Sequence, residues 1–97
     1  FCHIVKFLFV GKDEEKVVTY ATAYLQAMQK ELPSTFFCHP VAGSGHVKVK
    51  DLFRYQFIIR GKNVSPIRNA IMLADKVCVT PSSIMRFIDV DPSSTYF

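Results

Sequence analysis

The order of hydrophobic periodicities predicts an α+β fold, a βαββαβ sandwich in which a four-stranded antiparallel sheet carries two helices on one face. Three observations predict it. β-Branched and aromatic residues crowd into strand-like stretches, apolar residues recur at helical intervals in two others, and the switches fall at glycine and proline.

The first strand is His3 to Val10, ended by Gly11. Asp13 then offers a helix N-cap, with Glu14 and Glu15 in the first turn where the helix dipole favours carboxylates. Val17, Ala21, Tyr24, Leu25, Met28 and Leu32 form one helical stripe, and Pro33 stops it. Phe36 to Cys38 is a short apolar run, followed by His39-Pro40 and a flexible connection through Ala42-Gly43-Ser44-Gly45. The alternation of His46 to Lys50 makes the second strand, and Leu52 to Arg60 the third, ended by Gly61. Ser65 is read as the cap of the second helix with Pro66 at its first position, and Ile67, Ala70, Ile71 and Ala74 as its buried stripe. Thr80 to Ser83 is a loop, and Ile84 to Val90 the last strand.

Length and composition narrow the possible functions. Ninety-seven residues suit one domain, 1–97, and 49% hydrophobic with 21% charged residues belongs to a folded chain. Phe1 replaces an initiator methionine and a strand follows at once, so a fragment of a larger protein is expected. No apolar run approaches the roughly 18 residues of a membrane span, which points to a soluble medium and no membrane partner. Cys2, Cys38 and Cys78 lack C-x-x-C spacing and read as reduced thiols of a cytosolic protein. Cys2-His3 and Cys38-His39 are adjacent on strand-like segments, where neighbours point to opposite faces, so no metal site is expected.

The net charge is +4, and its location matters more than its size. Between His46 and Arg68 stand six cations, Lys48, Lys50, Arg54, Arg60, Lys62 and Arg68, against Asp51 alone. Such a segment attracts polyanions. Strand parity puts Phe53, Tyr55, Phe57 and Ile59 beneath the helices, with Val5, Phe7, Phe9, Val47, Val49, Met85 and Phe87. The uncovered face then carries Lys6, Lys48, Lys50, Arg54, Gln56, Arg60 and Arg86, a set suited to phosphate contacts. Ile4, Leu8, Ile58 and Ile88 share that face, so packing against the rest of a larger protein is the competing reading. Sheet-based RNA recognition needs outward aromatics; the third-strand rings point inward, which leaves only Tyr20 or Tyr96 elsewhere for stacking. Lys62 and Arg68 flank the start of the second helix, where an anion or a carboxylate-rich peptide tail is a candidate ligand. Asp89 and Asp91 are explained by a strand end and an Asp-Pro turn, and Ser44 between glycines lacks the rest of a P-loop. No enzymatic constellation emerges.

Two motifs carry a family resemblance. Phe53-Arg54-Tyr55-Gln56-Phe57-Ile58-Ile59-Arg60-Gly61-Lys62 resembles the aromatic-Arg-aromatic-Gln strand in the carboxy-terminal domain of the PriA (primosomal protein N′) family, and Ile88-Asp89-Val90-Asp91-Pro92 is similar to its Asp-Val-Asp-Pro signature. His39-Pro40-Val41 is similar to the family's Gly-Pro-aliphatic segment, with histidine in place of glycine. Ala42 to His46, where the family has a proline-containing stretch, and the tail Ser93 to Phe97 depart from the pattern. The resemblance implies a ferredoxin-like, ribosomal S10-like domain of a bacterial cytoplasmic replication-restart machine. Whole relatives are ATP-dependent 3′-5′ DNA helicases, with ATP, Mg2+ and zinc held in domains other than this one. No cofactor and no catalytic residue are expected here. The implied partners are forked or single-stranded DNA, single-stranded DNA-binding protein, other primosome proteins and the rest of the helicase chain. Carried over by motif, Arg54 and Arg60 contact phosphate, Gln56 hydrogen-bonds phosphate or backbone, and Lys62 with Arg68 meets an acidic tail. Two alternatives stay open: a structural domain packed on the helicase body, and a stand-alone ferredoxin-like domain that binds a small regulatory ligand.

Overall fold

A computed structural model describes residues 3–49, 51–79 and 81–90, with 44–49 described as backbone. The elements run β1 (His3–Gly11), α1 (Glu14–Glu31), β2 (Phe37–Cys38), β3 (Ala42–Val49), β4 (Leu52–Gly61), α2 (Ser65–Val77) and β5 (Ile84–Val90). All strand pairs are antiparallel, and the sheet has five strands in the order β2-β4-β1-β5, with β3 also on β4.

Five strands instead of the expected four is a correction, and Pro40 explains it. β2 pairs with Arg60 and Ile59 of β4, and the His39 N–H still donates to Ile58 O at 2.8 Å. Pro40 has no N–H to continue the ladder, so the edge breaks before β3 takes over opposite Gln56 and Tyr55. β2 is held in place from its N-terminal side. Phe36 lies so close to Gly61 that a Cβ there would stand 2.1 Å from Cε2 of the ring. Glycine is required at that contact.

β3 itself does not run in simple alternation. Gly43 pairs with Tyr55 but Lys48 with Phe53, so β3 spends five steps where β4 spends two. This bulge of odd length inverts the expected parity: in backbone register Lys48 stands opposite Phe53, not in the row of Arg54. Val49 and Leu52 close the hairpin, and Asp51 takes the left-handed conformation with φ 64°.

The helices follow their stripes. Asp13 caps α1 by accepting from the Lys16 N–H at 3.2 Å, and Val17, Ala21, Tyr24, Leu25 and Met28 are buried. α2 starts one residue earlier than expected: Val64 is the cap position, Ser65 is already helical, and no side chain caps the turn. Both helices enclose one core with Val5, Phe7, Phe9, Phe57 and Ile59. Phe7 stacks on Phe57 at 4.6 Å between centroids, and Phe9 meets Tyr20 edge-on at 5.5 Å. Tyr20, a candidate for outward stacking, is thus partly buried against the core, its hydroxyl donating to Cys78 O. Tyr96 lies outside the described residues.

β5 has the opposite parity from the one expected. Arg86 pairs with Phe9 and Ile88 with Phe7, both on the helix side, while Met85 and Phe87 face away and are about half exposed. The reason is a polar partner beneath the helices. Arg86 makes an ion pair with Asp75 of α2 and donates to the Tyr24 hydroxyl at 3.0 Å, and that hydroxyl donates to Asp75 at 2.8 Å. The guanidinium also sits 5.5 Å from the Tyr24 ring centroid. Burial and the Asp75 carboxylate push the Tyr24 hydroxyl well above the ordinary tyrosine range.

Candidate nucleic-acid interface

β4 positions the candidate side chains. Because Phe57 and Ile59 are buried under the helices, alternation directs Arg54, Gln56, Ile58 and Arg60 to the other face. Their register partners on β1 are Val10, Leu8, Lys6 and Ile4. Beyond β1 the same rows continue to Met85, Phe87 and Asp89 of β5. Arg60 is exposed, whereas Arg54 and Gln56 are partly buried. Tyr55, on the core side, is half-buried, and its hydroxyl donates to Glu14 at 2.6 Å, which raises its pKa.

The cations do not form an even sheet of charge. Lys6, expected on the uncovered face, is completely buried there, and Leu8 and Val10 are nearly so. Desolvation lowers the Lys6 pKa, with Asp89, its cross-strand neighbour, acting in the opposite direction and Arg54 adding to the lowering. Arg86 is on the helix side in the polar knot with Asp75. The register of Lys48 opposite Phe53 separates it from the Arg54 row, and Lys50 lies outside the described residues. What remains together on one strand face is Arg54, Gln56 and Arg60, and Lys62 follows exposed at the same strand end. Arg68 is exposed in the opening turns of α2, its N–H bonded to Val64 O.

One functional candidate escaped the sequence reading. Phe37 pairs with Arg60 and is 60% exposed, so an aromatic ring does stand on the arginine face. The adjacent Phe36-Phe37 held the signal: on a strand one of two neighbouring rings must face away from the core. The His39 ring meets Phe37 edge-on at 4.7 Å, and burial raises the pKa of the intervening Cys38 thiol. Elsewhere, a groove of 560 Å³ opens between the β1–α1 turn and Ser82–Met85, with Val10, Leu52 and Ile84 in its walls. Among the described residues no group of three or more His, Cys, Asp or Glu side chains is placed to hold a metal ion.

The whole chain aligns with replication restart protein PriA of Chlamydia pneumoniae at 32% identity. PriA proteins of Chlamydia muridarum and Chlamydia trachomatis align over the same 97 residues at 28% and 29%. The resemblance to PriA holds along the entire chain. The chain spans 13% of the length of these PriA relatives. No family model matches it. Among solved structures, the de novo designed protein Foldit4 superposes with a TM-score of 0.71 over 97% of this PriA-like chain and all of its own, at 14% identity. The C-terminal DNA-binding domain of MHV-68 latency-associated nuclear antigen gives 0.52 over 96% of this chain and 73% of its own, at 12% identity. At such identities these structures support the fold alone. No described helix is long and apolar enough to cross a membrane.

Proposed function

We propose that this chain is the carboxy-terminal DNA-binding and protein-interaction domain of a PriA-type replication restart helicase, acting in the bacterial cytoplasm and catalysing no reaction itself. Whole-length similarity to PriA carries the reading, and the row Arg54, Gln56 and Arg60 gives it a surface. The strand order, with β1 and β4 central, supports assigning the fold to the ferredoxin-like, S10-like class. Arg54 and Arg60 contact phosphates of forked or single-stranded DNA, and Gln56 donates to phosphate or sugar oxygens between them. Lys62 and Arg68 receive the acidic tail of single-stranded DNA-binding protein by charge attraction, and other primosome proteins join the same assembly. ATP and Mg2+ belong to the helicase lobes and zinc to a separate region.

Anisotropy of labelled forked DNA at two salt concentrations tests the reading. Affinity should fall steeply with salt, and Arg54→Gln or Arg60→Gln should each flatten the slope by about one unit. Salt-insensitive binding, or none, contradicts it.

The exposed apolar residues favour a second reading. Met85, Phe87 and Val90 on β5, and Met72, Val77 and Val79 around the end of α2, suit docking on the helicase body. Charge reversal at Arg54 and Arg60 separates the two: DNA binding lost in a stably assembled protein supports the first, and loosened domain packing supports the second.

A further inference from the structure

Among the described residues, Phe37 and Phe87 are the exposed phenyl rings, both on the face away from the helices, and Phe37 is the more exposed. Phe7, Phe9, Phe57 and Tyr24 are sealed in the core, whereas Phe37 projects from the opposite side of the sheet with 60% of its surface exposed. Three features make it a built surface. Its backbone is fixed by pairing with Arg60, and the preceding Phe36 is locked over Gly61. The His39 ring packs against it at 4.7 Å in a T-shaped arrangement, and 60% of the Phe37 surface stays accessible to a flat partner. His39, which touches Phe37, also lines a pocket of 240 Å³ with Pro40, Ala42, Gln56, Phe57 and Ile58. That is smaller than the roughly 300–1,000 Å³ of a small-molecule site and of the right scale for one ring system. His39 Nε2, buried at this pocket, has no hydrogen-bond partner among the described residues. A buried ring nitrogen in that condition calls for a polar partner, which a water or a ligand group can supply.

We propose that Phe37 is a stacking platform for an unpaired nucleobase, with His39 positioned to hydrogen-bond the base edge and Arg60 to hold the flanking phosphate. The proposal rests on the DNA-binding reading and sharpens it: the ligand is a single strand or strand end, because a paired base has no free face to offer the ring. It also supplies what the cations lack. Phosphate contacts by Arg54 and Arg60 grip duplex and single strand alike, and a ring beside Arg60 selects strands whose bases are unstacked.

The 97-residue chain is tested by anisotropy against an oligothymidylate and an abasic strand of equal length and charge. The wild type should prefer the oligothymidylate by roughly tenfold or more, the scale of one base–aromatic stack. Phe37→Ala should bind both strands equally, with an unchanged salt slope, and Phe37→Tyr should retain the preference. A wild type that binds both strands equally, or a Phe37→Ala variant that keeps the preference, overturns the platform while leaving phosphate binding intact. Failure of the wild type to bind any strand removes the DNA-binding reading and the platform together.

Discussion

The two faces of one sheet treat polar groups in opposite ways. On the helix side, Arg86 and Asp75 are committed to one another and to the buried Tyr24 at the partly exposed rim of the aromatic core. On the far face, Arg54, Gln56 and Arg60 line a single strand near an exposed ring, and among the described residues Lys6 is the one charged side chain fully buried there. An arginine is therefore structural or available for a ligand according to what lies across from it, not according to its place in a basic sequence run. Arg86 found a carboxylate; Arg60 found water and Phe37.

Breaking either side should expose this contrast. The largest effect is expected from Phe7→Ala, which removes a ring stacked on Phe57 and should cost about 3–5 kcal/mol in urea unfolding. Asp75→Ala leaves the Arg86 charge half-buried without its carboxylate. Partial exposure of the pair moderates the loss to about 1–3 kcal/mol, and Arg86→Met in the same background should recover part of it. Gly61→Ala should cost about 1–3 kcal/mol by driving a methyl into Phe36, and should also weaken single-strand preference because β2 carries Phe37. An Ala variant with full stability and preference would show that β2 is held by something other than that contact.

The polar knot predicts a pH dependence of defined sign. The folded-state pKa of Tyr24 is raised, so the unfolded chain ionises first as pH climbs past the ordinary tyrosine value. The stabilisation is complete below about pH 10 and declines above it, at no more than about 1.4 kcal/mol per pH unit from this group. Tyr24→Phe should flatten that alkaline decline in pH-dependent unfolding, with Tyr55 accounting for part of what remains. The smallest effect should come from Phe37→Ala, within about 0.5 kcal/mol of wild type in the same urea experiment. A loss as large as that of Phe7→Ala would mean the far face is a second core.

Where periodicity met a simple backbone, the sequence was readable. α1 and β4 follow their periodicities, and the burial of Val5, Phe7, Phe9, Phe57 and Ile59 follows from parity, although β1 is buried on both faces from Val5 onward. The departures each have a local cause. The odd bulge in β3 inverted Lys48, and nothing in Gly43 to Val47 states its length. β5 offered Ile84, Arg86 and Ile88 against Met85 and Phe87, two faces of similar hydrophobicity. The choice depended on Asp75 and Tyr24, 11 and 62 residues away in sequence. α2 began at Ser65 because the Val64 carbonyl accepts the first intrahelical bond, from the Arg68 N–H, and no side chain caps the amides before it. The face of Arg54, Gln56 and Arg60 was legible from alternation alone, whereas its uneven charge was not. Burial of Lys6 depends on how separate parts of the chain come together around it.

The Pro40 break in the outer edge also bears on self-association. A continuous edge strand presents a regular ladder of free amides and carbonyls that a second chain can extend, the usual seed of fibrous aggregates. Here that ladder is cut after two residues of β2 and then thrown out of register by the bulge of β3. No long template survives on this flank, so the protein can hold a sticky phenyl ring at its rim without inviting edge-to-edge polymerisation.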